Sequence, residues 1–541
     1  FDTGSGVFLW NYGQKPFKFP PPDGFQSLNL ASTRPDTVIV RPDNFVGIST
    51  WTGDGTNNRV IQAPIDADFA WVKFRNQSYS HSLYDTVRGN NKRLVSNSTD
   101  GEATVSFSFL GSKNIQISGA SDTSQNDNNE PLVGWFWRAG GNRGTFNVDD
   151  VGFASAGDIG FDAGGQNNNA YNRDQTWSNF IEGSIDSSYG SATDLFNGTI
   201  PTGTADSVRS TNPGYLILNL STLNITATTV KLYTYIYATP RTFQVNGVTI
   251  DRSQVSGNGD KEFTIPVNGK LNSIAWSYDS GSGPYCYMRA IEVDGKLLVN
   301  NGVSPTNVPS VAATGASVGT KQGFSIVKYS VPGSTPYTIP HGLSEAPTFI
   351  IWKSLSSSNW VVYHASTGNQ SRTYLNLTLA ASSAESYLNN TSPSSAAITM
   401  GSSGEFTGDM IVYSWHDVPG LQKFGIYSGN SNTNGAFIEL GFKPAVLWAK
   451  CATGGGGDWI IKDSTRYPAN REDIGNTLVA NVSNSEDGYY TPNQVQVDLL
   501  SNGFKIRHSG GPLNDSGRTY IYCAWAEAPT VNLFGAQSNG R

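Results

Sequence analysis

Four pairs of carboxylates in this sequence have the residue types needed to hydrolyse a glycosidic bond. That reaction uses one carboxyl as acid and another as nucleophile or base, roughly 5–10 Å apart. Adjacent residues of a strand face opposite sides, so an extended Asp149–Asp150 segment does not form such a pair. No pair stands out among 43 acidic residues, and we expect none to be catalytic. The candidates are Asp149/Asp150, Asp174/Glu182, Glu439/Asp458 and Glu472/Asp473.

Other patterns for catalysis or metal binding are absent from the sequence. The string GASVG at 315–319 has the G-x-S-x-G spacing, but it lies in a strand-like segment with no helix pattern after it, and we expect no serine nucleophile there. The run Gly454–Gly457 is not followed by Lys-Ser/Thr, so it predicts a flexible loop rather than a phosphate cradle. Calcium needs several oxygen ligands on one loop, and the spacing of Asp122, Asn126, Asp127 and Glu130 fits no known calcium loop. We therefore predict a protein that is not an enzyme and that needs no metal or cofactor.

The five histidines are dispersed, which predicts surface or turn positions rather than a shared site. They are His81, His341, His364, His416 and His508. His364 corresponds, in the internal repeats described below, to an aspartate in each of the other copies, Asp85 and Asp463. A position that accommodates either residue type is not a fixed metal ligand.

Aromatic residues in polar loops are the candidates for sugar recognition, which combines an apolar platform with a few placed polar groups. Packing inside the protein is the alternative role for each of them. Tryptophans within strand patterns are instead expected in the core. The loop candidates are Tyr171, Trp177, Tyr189, Tyr489 and Tyr490, and the core set is Trp71, Trp352, Trp415, Trp448 and Trp525.

The composition restricts the class of protein. Charged residues are only 15% of the 541 residues, so the polar surface must come largely from Ser, Thr, Asn and Gly. A net charge of −7 argues against nucleic-acid binding, which requires basic surface. No apolar run approaches the roughly 20 residues that span a bilayer. The cysteines at 286, 451 and 523 are odd in number and far apart, which predicts buried free thiols and folding in a reducing cytoplasm.

One pattern of about a hundred residues occurs three times. Copy one (45–141) opens FVGISTWTGDG and closes PLVGWFWRAG. Copy two (323–420) opens GFSIVKYS and closes MIVYSWHDVPG, and copy three (421–529) opens LQKFGIYSGN and closes RTYIYCAWAEAP. Repeats of this length are too long for solenoid units, so we expect three small domains, each with its own core.

The local signal throughout is β-strand, which predicts an all-β fold of sandwiches or jelly rolls. In the segment 231–238, Leu232, Thr234 and Ile236 alternate with three tyrosines and should point to the opposite face. Asn246-Gly247 and Asp294-Gly295 predict two-residue hairpin turns. The best helix candidate, 191–198, is short.

These signals divide the chain into tandem β-domains with an insertion between the first two copies. Residues 1–31 contain one strand and a proline-rich exit, as expected for the end of a domain upstream of Phe1. The boundaries are 1–31 upstream domain end, 32–141 copy one, 142–158 linker, 159–305 inserted jelly roll, 306–321 linker, 322–420 copy two, 421–531 copy three and 532–541 tail.

Several of these strings together resemble fibre and tail-fibre-like adhesins of marine and cyanobacterial tailed bacteriophages. NYGQKPFKFPPPDGFQSLN resembles the end of a SPRY-like domain, and WVVYHAS and VDLLSNGFKIR resemble a duplicated C-terminal β-domain of that family. ATDLFNG and EVDGKLLVNNG resemble a carbohydrate-binding-like jelly roll. The matches cover most of the chain, but they supply no binding residues.

The resemblance implies a virion fibre protein that attaches the particle to host-surface glycans, acts as a homotrimer and contacts other virion proteins. From the cysteines, the net charge and the short apolar runs described above, we also expect synthesis in the host cytoplasm, no nucleic-acid partner and no membrane insertion. Weak sugar sites would gain strength from multivalency. Two alternatives stay open: a structural virion fibre without glycan binding, and a polysaccharide-depolymerising tailspike.

Overall fold

The computed structural model confirms an all-β chain. It describes residues 37–119, 125–159, 161, 170–171, 175–204, 206–211, 214–237, 243–249, 258–278, 285–300, 309–384, 386–467, 470, 476–486, 488–491, 494–528, 530–531 and 537–538. The predicted upstream-domain strand within 1–31 therefore lies outside the described residues, as does most of the tail.

Copy one is a sandwich of a four-stranded sheet, in the order β1-β9-β3-β4, and a three-stranded sheet, β2-β8-β7. A short ladder of β5 with β6 completes it. The strands are β1 (Val46–Thr52), β2 (Arg59–Gln62), β3 (Phe69–Phe74), β4 (Ser82–Asp85), β5 (Lys92–Arg93), β6 (Ala103–Thr104), β7 (Phe107–Gly111), β8 (Asn114–Ile117) and β9 (Pro131–Trp137).

The segments predicted as linkers form strands instead. In 142–158 the chain makes a hairpin of β10 (Phe146–Val148) and β11 (Val151–Phe153). β10 then pairs in parallel with a strand inside the other predicted linker, 306–321. The polar, glycine-rich composition of both segments suggested loops, but their alternate apolar residues pack in a core of their own.

The insertion between the copies is a sandwich of two five-stranded sheets, with the orders β12-β21-β20-β15-β18 and β13-β14-β19-β16-β17. Apolar side chains from both sheets share one core. Both predicted hairpin turns are present, and the predicted short helix is one 3-10 turn at Asp194–Phe196. The strands are β12 (Ala170–Tyr171), β13 (Ile181–Glu182), β14 (Gly214–Asn219), β15 (Thr226–Tyr237), β16 (Phe243–Val245), β17 (Val248–Thr249), β18 (Gly259–Lys270), β19 (Ser273–Tyr278), β20 (Tyr285–Val293) and β21 (Lys296–Leu298).

Copy two contributes most of a nine-stranded sheet, in the order β11-β10-β22-β23-β30-β25-β26-β27-β28, and a two-stranded sheet, β24-β29. The linker strand is β22 (Ala313–Gly319), and the strands of copy two are β23 (Phe324–Ser330), β24 (Tyr337–Pro340), β25 (Phe349–Ser354), β26 (Val361–His364), β27 (Ser371–Tyr374), β28 (Ser382–Ser383), β29 (Ala397–Met400) and β30 (Asp409–Trp415).

Copy three repeats the two-sheet plan with a five-stranded sheet, β31-β38-β33-β34-β35, and a three-stranded sheet, β32-β37-β36. One α-helical turn, Gly511–Asn514, precedes its last long strand. The strands are β31 (Gln422–Ser428), β32 (Phe437–Glu439), β33 (Pro444–Cys451), β34 (Ile460–Asp463), β35 (Leu478–Val479), β36 (Val497–Leu500), β37 (Gly503–Ile506) and β38 (Thr519–Ala526); β39 (Thr530–Val531) pairs with β40 (Gln537–Ser538).

The three copies share a central core, which corrects the expectation of three separate domains. β3 shows why: Ala70, Val72 and Phe74 face a core within copy one, whereas Phe69 and Trp71 face the shared core. Each copy therefore has a sheet buried on both sides. A tryptophan at or next to the end of the last long strand of each copy, Trp137, Trp415 or Trp525, is at most 1% exposed in this shared core.

Hydrogen bonds join the copies in a closed cycle, because the residue that precedes β4, β26 or β34 reaches into another copy. In copies two and three this residue is a tryptophan whose indole N–H donates to a backbone carbonyl, and in copy one it is a histidine. The contacts are Trp360 Nε1 to the Val95 oxygen (2.8 Å), Trp459 Nε1 to the Tyr374 oxygen (2.8 Å) and His81 Nε2 to the Val479 oxygen (3.0 Å).

A buried lysine at the same place in each copy, Lys73, Lys353 or Lys450, caps backbone carbonyls. Lys353 donates to the Thr99 oxygen of copy one at 3.2 Å, and Lys450 donates to the Leu377 oxygen of copy two at 2.9 Å. Burial lowers the pKa of these amines, to about 7 for Lys73 and about 8 for the other two. The ammonium groups thus act as internal bridges between chain segments.

Candidate functional site

Four of the five histidines are buried, contrary to the expected surface or turn positions. His81, His341, His364 and His416 are at most 4% exposed, whereas His508 is half-buried. His364 accepts from the Ser366 backbone N–H through Nδ1 and donates to the Tyr522 oxygen through Nε2. Burial lowers its pKa to about 4. A neutral ring with both nitrogens occupied is not available as a base or a metal ligand.

The position shared by Asp85, His364 and Asp463 holds the copies together. The Tyr413 hydroxyl of copy two donates to Asp85 Oδ2 at 2.7 Å, and the Trp135 indole of copy one donates to Asp463 Oδ2 at 2.9 Å. Each aspartate also pairs with an arginine three residues later, Arg88 or Arg466, at 2.5 Å and with both side chains fully buried. The position is therefore structural in all three copies.

The carboxylate pairs weighed for hydrolysis are engaged in separate contacts where the structure describes them. Asp149 and Asp150 form the turn between β10 and β11, not an extended strand; Asp149 accepts from Thr320 and Asp150 pairs with Arg138. The partner of Glu439 is Asn502, and those of Asp458 are Asn481 and Tyr490. Asp174, Glu472 and Asp473 lie outside the described residues.

All five strand tryptophans expected in the core are there, at most 1% exposed, and the three cysteines are buried free thiols as predicted. Among the loop candidates, Trp177 proves to be a core residue. It begins a 3-10 turn and is fully buried among the apolar side chains between the two sheets of the insertion. Tyr171 lies in β12, and its side chain is outside the described part of the chain.

Tyr489 and Tyr490 form an edge-to-face pair in copy three, with ring centroids 4.9 Å apart. Tyr489 is 46% exposed. Tyr490 is half-buried and donates its hydroxyl to Asp458 Oδ2. Burial, followed by this hydrogen bond, raises the pKa of Tyr490 well above its usual value, so the phenol stays neutral. Only Tyr489 presents a free ring surface.

Tyr189 lies in a cluster that the sequence did not reveal. Its ring meets the ring of Tyr287 edge to face at 5.1 Å, and Tyr287 is the direct cross-strand partner of Tyr235, with centroids 5.9 Å apart. Arg209 covers one side of Tyr189, with its guanidinium carbon 4.1 Å from the ring centroid. We name the set Tyr189, Tyr235, Tyr287, Arg209 and Asp186 the tyrosine–arginine surface.

The strand register explains how this surface forms. In β15, Leu232, Thr234 and Ile236 are fully buried against the sandwich core, as the alternation predicted. Tyr235 must then point to the outer face, where it pairs with Tyr287 of β20. The tyrosine alternation of β15 is thus the sequence signal for this surface, and it lies in a strand rather than in a polar loop.

Arg209 is held rigidly at the centre of the surface. It donates to Asp186 Oδ2 through Nη2 at 2.6 Å and through Nε at 3.0 Å, and to the Tyr287 hydroxyl at 3.1 Å. Burial favours a neutral Asp186, but the bonds from Arg209 outweigh it and hold the pKa of Asp186 below its usual range. The pair stays ionised and pre-organised, with aromatic, cationic and anionic groups side by side.

No cluster of three or more His, Cys, Asp or Glu side chains suited to a metal occurs among the described residues. Within the same ranges, no helix is both long and apolar enough to cross a membrane.

Comparison with known proteins gives a family match over more than half of the chain. The profile of a family described as "Domain of unknown function (DUF7483)" matches residues 41–163 and 298–529, which leaves out nearly all of the inserted sandwich. No curated protein matches the chain. Among solved structures, dimeric latent PorU from Porphyromonas gingivalis aligns with 70% of this chain at 9% identity. The TM-score of 0.14 is too low to indicate a shared fold. The chain spans 32% of that protein's length.

Proposed function

We propose that this chain, which belongs to the family of Domain of unknown function (DUF7483), is a non-catalytic fibre protein of a bacteriophage virion that attaches the particle to host-surface glycans. The phage assignment rests on the sequence resemblance given above. The glycan assignment rests on one observation, the tyrosine–arginine surface of the inserted sandwich.

That surface has the chemistry that sugars need. Tyr235 and Tyr189 are half-buried, so each ring is supported from behind while part of it faces solvent. Aromatic rings contact the C–H groups of a sugar, and neighbouring ionised groups exchange hydrogen bonds with its hydroxyls. Rigid support by the Arg209–Asp186 pair limits the entropy lost on binding.

The rest of the chain fits a scaffold that displays such surfaces. Its buried histidines, lysines and paired aspartates hold the three copies together, which supports a binding rather than a hydrolytic role. The resemblance adds homotrimer assembly to the proposal. Because the three copies already form a closed cycle within one chain, three chains would associate through other surfaces.

The test is to incubate the purified chain with cells and surface polysaccharides of candidate hosts, measuring bound protein and released oligosaccharide together. Tyr235→Ala should weaken binding about 2–13-fold, the effect of one aromatic contact of about 0.5–1.5 kcal/mol. Tyr215→Ala is the matched control, because Tyr215 is a 44% exposed tyrosine in β14 of the opposite sheet.

Each outcome selects one function. Binding without release, weakened by Tyr235→Ala but not by Tyr215→Ala, supports the adhesin. Release of oligosaccharide would support a depolymerase instead. If the chain neither binds the true host nor releases oligosaccharide from it, the function is that of a structural virion fibre. If Tyr235→Ala and Tyr215→Ala weaken binding equally, the sugar site is not on the tyrosine–arginine surface.

A further inference from the structure

We propose that copy one carries a second saccharide-binding site, a cavity of about 320 Å³ between its three-stranded sheet and the β10–β11 hairpin. The ligand class is a neutral hexose-sized sugar unit. The proposal extends the proposed function, on which its biological sense rests, but the site belongs to the triplicated scaffold and not to the inserted sandwich.

The floor of the cavity is apolar. Ile65 and Ile115 are each 1% exposed and Phe109 is 6% exposed, because they belong to the core within copy one and close the bottom of the cavity. Leu110 beside them is 50% exposed, a large apolar side chain left in contact with water at the edge of the cavity. Apolar surface of this kind suits the C–H face of a sugar ring.

The walls carry hydrogen-bonding groups of both kinds. Arg138 Nη2 lies 2.6 Å from both carboxylate oxygens of Asp150, so the two side chains form a fixed pair at the wall. Asn142 and Arg143 are exposed at the mouth, and Asp66 lines the opposite side. Guanidinium, carboxylate and amide groups together can donate to and accept from vicinal hydroxyls.

The charge of the lining selects a neutral ligand. Two arginines, Arg138 and Arg143, are balanced by two exposed or half-exposed carboxylates, Asp66 and Asp150. The remaining carboxylate, Asp68, is buried and already accepts four hydrogen bonds, from Thr86, Ser317 and the backbone N–H groups of residues 139 and 141. With Asp68 ionised the lining has one negative charge in excess, which disfavours an anion, and for a cation that excess charge is a buried carboxylate whose oxygens are already hydrogen-bonded.

Two strained turns form the rims of the cavity. Ser112 and Lys113, between β7 and β8, have φ of 50° and 61°, and Asp149 and Asp150 have φ of 49° and 69°. In the hairpins of the inserted sandwich the second of the two turn residues is glycine, Gly247 or Gly295, whereas here it is Lys113 or Asp150. Side chains held in the left-handed region cluster at functional sites. At the rim formed by Asp149 and Asp150, the carboxylate of Asp150 accepts hydrogen bonds from Arg138 and holds it at the wall of the cavity.

The test is saturation-transfer NMR and calorimetry on the full chain with glucose, galactose, mannose and their disaccharides. Glucuronic acid and glucosamine serve as charged comparators. Leu110→Asp should weaken binding of the neutral sugar at least tenfold while leaving the Arg138–Asp150 pair intact. Val60→Asp is the matched control, because Val60 is 53% exposed on the same three-stranded sheet but does not line the cavity. Arg138→Ala removes the wall donor and should weaken binding independently.

The outcomes separate this site from the proposed function. Neutral-sugar binding lost in Leu110→Asp and kept in Val60→Asp and Tyr235→Ala establishes the cavity, even if the chain binds no host polysaccharide. Polysaccharide binding that depends on Tyr235 and is unchanged by Leu110→Asp and Arg138→Ala would overturn the cavity site alone. Preference for the charged comparators, or no neutral-sugar binding by the wild type, would also overturn it.

Discussion

Replacing Trp525 by alanine is expected to destabilise all three copies together. Trp525 is fully buried, and its ring lies 5.3 Å from that of Trp137 in copy one, 6.0 Å from that of Trp415 in copy two and 4.9 Å from that of Trp448 in its own copy. Truncating a buried tryptophan costs about 3–5 kcal/mol, because apolar contacts are lost and a cavity remains.

The size of the change in Tm reports how many residues unfold as one unit. Unfolding entropy is about 2.1 cal/mol/K per residue. If the residues of the family match, about 355 in number, unfold together, the loss corresponds to about 4–7 °C. If copy three, of about 109 residues, unfolded alone, the same loss would lower its Tm by about 13–22 °C.

Differential scanning calorimetry of the full chain distinguishes the two cases. We expect one transition for the three copies, lowered by the smaller amount, and no change in the transition of the inserted sandwich. Trp276→Ala is the matched control, since Trp276 is 1% exposed in the core of the insertion and should shift only that transition. A large shift confined to a third of the unfolding enthalpy would refute the shared core as the unit of cooperativity.

Three further predictions concern buried polar groups. Burial lowers the pKa of Lys450 to about 8 in the folded chain, against about 10.4 in the unfolded chain. Between these pH values the folded chain binds fewer protons than the unfolded chain, so the free energy of unfolding should rise from about pH 8 to about pH 10.5. In denaturant titrations Lys450→Met should lack this rise, and a difference from wild type that does not change with pH would contradict the prediction. Asp463→Asn removes the fully buried carboxylate that pairs with Arg466 and leaves it only the partly buried Glu486, so it should cost about 3 kcal/mol in urea unfolding. Asp515→Asn, at the surface pair with Arg518, should change the stability little; equal costs would argue against burial as the cause. Burial raises the pKa of the Cys286 and Cys523 thiols, so a thiol reagent should label them only in denaturant, and rapid labelling of the native protein would disprove their burial.

Local pattern predicted the strands well because each strand reports its own environment. The alternation of Leu232, Thr234 and Ile236 and the hairpin turn at Asn246-Gly247 follow from the two-residue period of a strand and from turn chemistry. The repeats were also visible, since they only require comparison of the chain with itself. These are properties of short segments, and sequence contains them directly.

The shared core could not be read from the sequence in the same way. A strand such as β3, with apolar residues on both faces, indicates burial on both sides but does not say which surface covers the second side. The prediction of surface histidines was wrong for a related reason. His364 can be buried because its Nε2–H donates a hydrogen bond to a backbone oxygen of another copy. Partners so distant in the chain leave no local signature.

The candidate site shows the same division. Tyr189 was found from its polar loop, but Arg209 and Tyr287 join it only through the sandwich fold, 20 and 98 residues further along the chain. Trp177 had the same loop-like surroundings as Tyr189 and is buried. Composition around an aromatic residue does not determine which way its side chain points.

The closed cycle of three copies also affects how this chain can vary. In a homotrimer every substitution appears three times, so a change that suits one lobe is imposed on the other two. Here each copy has its own codons: copy one carries the Ser112–Lys113 turn at the rim of the cavity, and copy two has histidine where the other two have aspartate. Because the three copies lie in one chain, they keep the stability of a shared core, and the outer surface of each copy can change in sequence without changing the other two.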